Sequence, residues 1–316
     1  MKEVASAVRR WEDLDTDLLV KIFLCFDVLQ LTSGIAHVCN SWHSACRDPL
    51  LWKTLDLSML RSNLIKIPSE PYVYVDECSD KALTRLLKIS LSLSQGQIRT
   101  LIFHFNVYAG DEQSTYIAES NLPYIVVCKC PQLRRLVMPA WNIIKKDIIC
   151  KAIRTWRCLE SLTMPRIVNP SYCIEEIALN CKNFSELKVM GSFDVLFAYT
   201  IAIFLPNLKV LSLRCSMIVK DALLLILDDV PNLEIFNISH CLLIEGPLLP
   251  PPMPEKIIKK LYKIILQKAT RLREFLICTE PSCIMCQRTR SDEGFMKWYK
   301  YEEGLWKMDE TKSLAL

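Results

Sequence analysis

The sequence predicts an α/β chain in two parts: a short three-helix unit, then a solenoid with a curved parallel sheet inside and helices outside. Three observations carry this. A six-residue apolar motif recurs at a near-constant step. Amphipathic stretches fill the intervals between its copies. Residues 11–50 have a different texture, dense in short apolar helices.

The helical unit comes first. Leu14, Leu18, Ile22 and Phe23 are spaced to form one apolar face of a short helix. Asp13, Asp15, Thr16 and Asp17 crowd its start, where acceptors satisfy free N–H groups and suit the positive end of the dipole. Leu31, Ile35 and Val38 suggest a second helix. Trp42, Ala45 and Cys46 suggest a third, which stops before Pro49. Three short helices in about forty residues can hardly bury their own apolar surface, so the unit needs a partner in this chain or another.

The remainder is periodic. The pattern L-x-x-L-x-L, with other apolar residues allowed, occurs at Leu133/Leu136/Met138, Leu159/Leu162/Met164, Phe184/Leu187/Val189, Leu208/Leu211/Leu213 and Leu233/Phe236/Ile238. The steps are 26, 25, 24 and 25 residues. Looser copies lie at Trp52/Leu55/Leu57, Ile98/Leu101/Phe103 and Leu272/Phe275/Ile277. A period near 25 falls inside the range of roughly 20–29 residues of leucine-rich repeats. In the interval KKDIICKAIRTW, Ile148, Ile149, Ala152, Ile153 and Trp156 share one side. In NPSYCIEEIALNC, Asn169 can cap and Pro170 can open a helix, and Pro254 can do the same before EKIIKKLYKIILQK. Proline in CPQL, LPNL and VPNL ends a helix and turns the chain into the next strand. Each strand–helix unit has an apolar side it cannot cover alone, and stacking covers it. A doubly wound sheet also alternates strands and helices but does not require one motif at a fixed step. The expected boundaries are 8–50 for the helical unit and 51–294 for about seven to eight repeats, with insertions at 61–80 and 246–254, and 295–316 for a cap or tail.

Bulk properties narrow the function. The hydrophobic share is 51%, with only 7 Gly in 316 residues, which excludes a disordered or collagen-like chain. A net charge of +4 predicts no strong attraction to nucleic acid or anionic lipid. No apolar run approaches the length of a membrane span, and the N-terminus lacks the apolar core of a signal peptide. The 15 cysteines are therefore expected to be reduced, in the nucleus or the cytoplasm.

The segment WEDLDTDLLVKIF, followed by VCNSW and DPLLWKTLDL, resembles an F-box. The usual form has a Leu-Pro start, an Ile-Phe pair, a Val-Cys-x-x-Trp block and an Asp-Pro-x-Leu-Trp exit. With the repeats, the chain looks like an F-box/leucine-rich-repeat protein of plant type. Asp15 stands where the family commonly has proline. The resemblance implies a non-catalytic substrate receptor of an SCF-type (Skp–cullin–F-box) ubiquitin ligase. The F-box would dock on the Skp adaptor, and through it on a cullin, and the repeats would hold a protein substrate. By motif position, the resemblance implies that Leu14, Leu18, Ile22 and Phe23 would meet the adaptor, and that Val38, Cys39 and Trp42 would be partly F-box core and partly interface. A repeat scaffold with no ligase connection, and an enzyme of α/β class, remain the alternatives.

Alternation along the repeat strands nominates Arg135, Thr163, Glu186, Lys188, Ser212, Arg214 and Asn237 for a mixed polar concave face, suited to a protein segment. Cys283 and Cys286 form C-x-x-C with Cys278 nearby, but a zinc site needs four ligands and no second pair follows. No metal is expected there; free thiols capping the last repeat are the plainer reading. His37, His43, His104 and His240 fit no catalytic or metal motif. Neither a nucleophile elbow nor a phosphate-cradling glycine loop exists, so no cofactor is expected. The aromatic stretch from Phe295 to Trp306 could stack on bases, but it more simply covers the end of a solenoid. Seven or eight repeats are too few to close around a small hormone.

Overall fold

A computed structural model of the protein describes residues 11–58, 77–103, 108–110, 130–138, 141–143, 146–164, 170–246, 256–258 and 261–292. His104, the C-terminal aromatic stretch, the proline-rich segment at 247–254 and most of the 61–80 insertion lie outside the described residues.

The periodic leucines form one column. Leu55, Leu101, Leu136, Leu162, Leu187, Leu211, Phe236 and Phe275 stand in register across eight parallel strands. These are β1 (Thr54–Asp56), β2 (Thr100–Ile102), β4 (Arg135–Val137), β6 (Ser161–Met164), β7 (Glu186–Val189), β9 (Val210–Ser212), β11 (Ile235–Asn237) and β14 (Glu274–Leu276). From Leu55 to Phe236 the column is fully buried. A one-residue slip would expose it, so the apolar motif fixes the register.

Short second strands form further layers. β8 (Ser192–Phe193), β10 (Met217–Val219) and β12 (Leu242–Glu245) pair in parallel, and β13 (Lys256–Ile257) closes that edge antiparallel to β12. β3 (Tyr108–Gly110) pairs with β5 (Trp141–Ile143). The outer helices are α4 (Glu77–Leu93), α5 (Lys146–Thr155), α6 (Pro170–Asn180), α7 (Val195–Phe204), α8 (Lys220–Asp229), α9 (Lys263–Ala269) and α10 (Ile284–Ser291). Their inward faces repeat too. Ile174, Ile177 and Cys181 play the part that Ala198, Ile201 and Leu205 play one repeat on, and that Leu223, Ile226 and Val230 play after that. None of the described helices is long and apolar enough to cross a membrane.

Six strands are entered through the same turn. The amide of Leu133, Leu159, Phe184, Leu208, Leu233 or Leu272 donates to the carbonyl three residues before it. In three copies proline follows the accepting residue, the position where its fixed φ suits the turn. Asn232 ties one turn to the preceding one, donating to the Pro206 carbonyl at 3.1 Å.

The helical unit consists of α1 (Thr16–Phe23), α2 (Val28–Ser33) and α3 (Asn40–Ala45), with a short 3₁₀ turn at Ile35–His37 where Gly34 ends α2. Asp15 caps α1, its carboxylate accepting from the Asp17 amide at 2.8 Å. Its φ of −57° is one that proline also adopts, so aspartate keeps the chain's entry angle and adds a cap. Asp27 and Gln30 form a capping box on α2. The core holds Leu19, Val20, Phe23, Leu31, Ile35, Ala45, Cys46 and Trp52, closed on one side by Leu93 of α4. The unit thus finds part of its partner within the chain.

Candidate functional site

Helix α1 carries two apolar stripes, and only one is used internally. Leu19, Val20 and Phe23 point inward. Leu18 is 50% exposed and Ile22 40%, and beyond the helix Val38 is 59% exposed. Leu18 and Ile22, four residues apart, form one exposed apolar ridge along α1, and Trp11, Leu24, Phe26 and Leu50 are exposed as well.

Six of the residues read from the motif therefore separate. Leu18 and Ile22 lie on the exposed ridge of α1, and Val38 is exposed too. Leu14 and Trp42 are half-buried against the unit's core. Phe23 is completely buried, with its ring 5.3 Å from that of Trp42 in an edge-to-face pair. Its assignment as a contact residue is corrected: it supports the ridge from beneath. The reason is rotational, since Phe23 follows Ile22 by about 100° around the helix and so faces the other way. Trp42 donates its indole N–H to the Trp11 carbonyl at 3.2 Å, fixing the segment that leads into α1. Trp52 does the same for the Cys46 carbonyl at 2.6 Å inside the core.

The concave face is less open than strand alternation suggests. Thr163, Glu186, Lys188, Ser212 and Arg214 are buried; Arg135 and Asn237 are half-buried. Most of the nominated polar face is therefore not open surface. Thr163, Lys188, Ser212 and Asn237 stand in one registered row, and Arg135, Ser161 and Glu186 in another. At a strand spacing of about 4.8 Å, such neighbours cover one another. Glu186 faces Arg135, with 3.8 Å between their charged atoms. Burial raises the carboxyl's pKa, opposed by Ser161 and Arg135, and lowers that of the Arg135 guanidinium, so desolvation outweighs pairing at both ends.

An open polar cleft of about 340 Å³ remains where the strands begin. Lys53, Arg99, Arg134 and Arg135 line it against Glu160 and Glu186, with Thr54, Thr100, Ser161 and Ser185 between. The Arg134–Glu160 pair spans 3.2 Å at its rim. Arg99 and Arg134 precede strands β2 and β4 at equivalent places, as Lys53 precedes β1. Four cations against two carboxylates give the cleft a basic character. Alternation nominated Arg135 and Glu186 but missed Lys53, Arg99, Arg134 and Glu160, which lie just before the strands, where the leucine pattern carries no information.

A further cluster joins residues that the sequence kept apart. Cys283 and Cys286 have Cys278 and His240 beside them, with the four ligand atoms within 4.8 Å of one another. The expectation that the C-x-x-C lacks further ligands, and so holds no metal, is corrected in its premise. The missing ligand lies upstream in the previous repeat, brought in by the strand register.

Comparison with known proteins agrees with this architecture. An F-box-like family model matches residues 11–58. An F-box/LRR-repeat protein of Arabidopsis thaliana is 58% identical over 310 residues, covering 98% of this chain and 97% of its own. Another F-box protein of that plant is 27% identical across 99% of this chain and 98% of its own. A third relative there, F-box/LRR-repeat protein 22, is 29% identical over 73% of this chain and 69% of its own.

Proposed function

Since the chain belongs to the plant F-box/leucine-rich-repeat proteins, we propose that it is the substrate receptor of an SCF-type ubiquitin ligase, acting in the nucleus or cytoplasm. The F-box docks on a Skp-type adaptor and through it on a cullin. The repeats hold a protein substrate, and the transfer chemistry belongs to other subunits.

The observation that carries this is the exposed face of α1 with Leu18 and Ile22, and Val38 exposed besides, on a unit whose other apolar stripe is sealed. Burial of each such side chain in an adaptor groove contributes roughly 1–2 kcal/mol. Phe23, Trp42 and Trp52 make the support rigid, so the ridge is preorganised and little ordering entropy opposes docking. On the substrate side, the basic cleft before β1, β2, β4, β6 and β7 suits an acidic segment of protein. Arg134 and Arg99 offer planar forks for carboxylates, and Thr54, Thr100 and Ser185 add neutral hydrogen bonds.

The test is reconstitution. The full chain, mixed with purified Skp-type adaptor and a cullin N-terminal domain, is expected to elute as one ternary complex in size-exclusion chromatography. Elution of the chain by itself, with the adaptor and cullin separate, would favour a repeat scaffold that works without a ligase.

A further inference from the structure

The end of the solenoid brings four metal-ligating atoms together from two repeats. His240 stands three residues beyond the end of β11, in the left-handed region with φ +61°. Cys215 holds the same place after β9, one repeat earlier, with φ +56°. This turn therefore belongs to the repeat, and the sequence has put an imidazole in the last copy of it. The His240 amide donates to the Cys278 carbonyl at 2.8 Å, which locks the two strand exits side by side. Cys283 stands at the N-cap position of α10, and Cys286 lies buried in the first turn of that helix.

The distances have a definite chemistry. His240 Nδ1 is 3.4 Å from Cys286 Sγ and 3.4 Å from Cys283 Sγ. Cys278 Sγ is 3.7 Å from Cys286 Sγ. In a tetrahedral zinc site, Zn–S bonds of about 2.3 Å and Zn–N bonds of about 2.0 Å set ligand edges of about 3.8 Å for S···S and about 3.5 Å for S···N. These three edges agree with those values, and all four ligand atoms lie within 4.8 Å of one another. A disulfide between Cys283 and Cys286 would need its sulfurs about 2.0 Å apart and would use neither His240 nor Cys278.

We propose that His240, Cys278, Cys283 and Cys286 bind one Zn²⁺ as a closed structural site. Three thiolates and one imidazole fill all four positions, so no water is left to activate and the site is not catalytic. Soft sulfur donors in a tetrahedron select zinc over magnesium or calcium. Binding is a ligand exchange without oxidation: Zn²⁺ enters and the thiols give their protons to solvent. The metal clips the exit of β14 and the start of α10 to the exit of β11. It thereby fastens the last described repeat to the one before.

The full chain, produced in zinc-supplemented medium and purified under reducing conditions, is to be analysed by elemental mass spectrometry. About one zinc per chain is expected. Cys283→Ser suits the N-cap position, and His240→Asn tolerates the left-handed backbone; each is expected to lose most of the metal, whereas Cys25→Ser keeps it. Cobalt(II) added to the metal-stripped wild type should show the d–d and sulfur-to-cobalt bands of a tetrahedral S₃N site. That measurement needs no variant to fold. Wild type without stoichiometric zinc and without cobalt bands would overturn the proposal. So would full zinc in both ligand variants, or a Cys283–Cys286 disulfide in zinc-loaded protein.

Discussion

The interior repeats and the N-terminal helical unit face the same problem and solve it differently. Both are small pieces with more apolar surface than they can cover alone. In the repeats, each periodic leucine from Leu55 to Leu211 is closed off by the next copy, with at most 1% exposure. In the helical unit, α4 closes one side through Leu93, and Leu18, Ile22 and Val38 stay open. Apolar side chains are exposed on the outer helices too, Leu179 and Leu196 among them, so the contrast lies between the sealed column of the sheet and the open face of α1. On the function proposed above, the difference separates residues that hold the molecule together from residues that meet the adaptor.

The sharpest way to break this contrast is inside the column. Leu187→Ala is expected to cost roughly 2–5 kcal/mol in urea or guanidinium unfolding, because registered neighbours on both sides prevent collapse of the cavity. Phe275→Ala, at the half-buried end of the same column, should cost clearly less. In the helical unit, Phe23→Ala should cost roughly 3–5 kcal/mol and raise amide exchange across α1 and α3, since it empties the space beside Trp42.

A smaller effect lies in the buried polar row. Burial holds the Glu186 pKa above its ordinary value. As pH rises above the normal carboxylate range and through that elevated pKa, the folded state binds more protons than the unfolded one, so this group's contribution to stability falls. Glu186→Gln should remove that fall, flattening stability between about pH 4 and about pH 7 by less than about 1 kcal/mol. Urea titrations of both proteins at the two pH values check it. A slope steeper in the variant would show that pairing with Arg135 outweighs desolvation.

Much of the solenoid was legible in the sequence. The step of 24–26 residues and the proline-marked turns reflect a geometry that repeats, and repetition leaves a periodic trace. The site was legible only in part, for physical reasons. Helix α1 is apolar on two stripes, and spacing alone does not say which faces the core, so Leu14, Leu18 and Ile22 were grouped with buried Phe23 while Leu19 and Val20 passed unnoticed. Alternation told which strand residues share a side, but not that Thr163, Lys188 and Ser212 would cover one another. His240 and Cys278 are neighbours only through the pairing of β11 with β14, across an interval lengthened to 39 residues by the proline-rich segment. Their shared place just beyond a strand was the available signal.

The most direct test of the exposed ridge compares two properties of one variant. Leu18→Asp combined with Ile22→Asp should leave the full chain folded, changing stability by no more than about 0.5 kcal/mol per site, because both side chains already face solvent. In calorimetric titration against a purified Skp-type adaptor, the same variant should lose at least about a hundredfold in affinity, as two buried anchors become charges. Unchanged affinity in a folded variant would contradict the account.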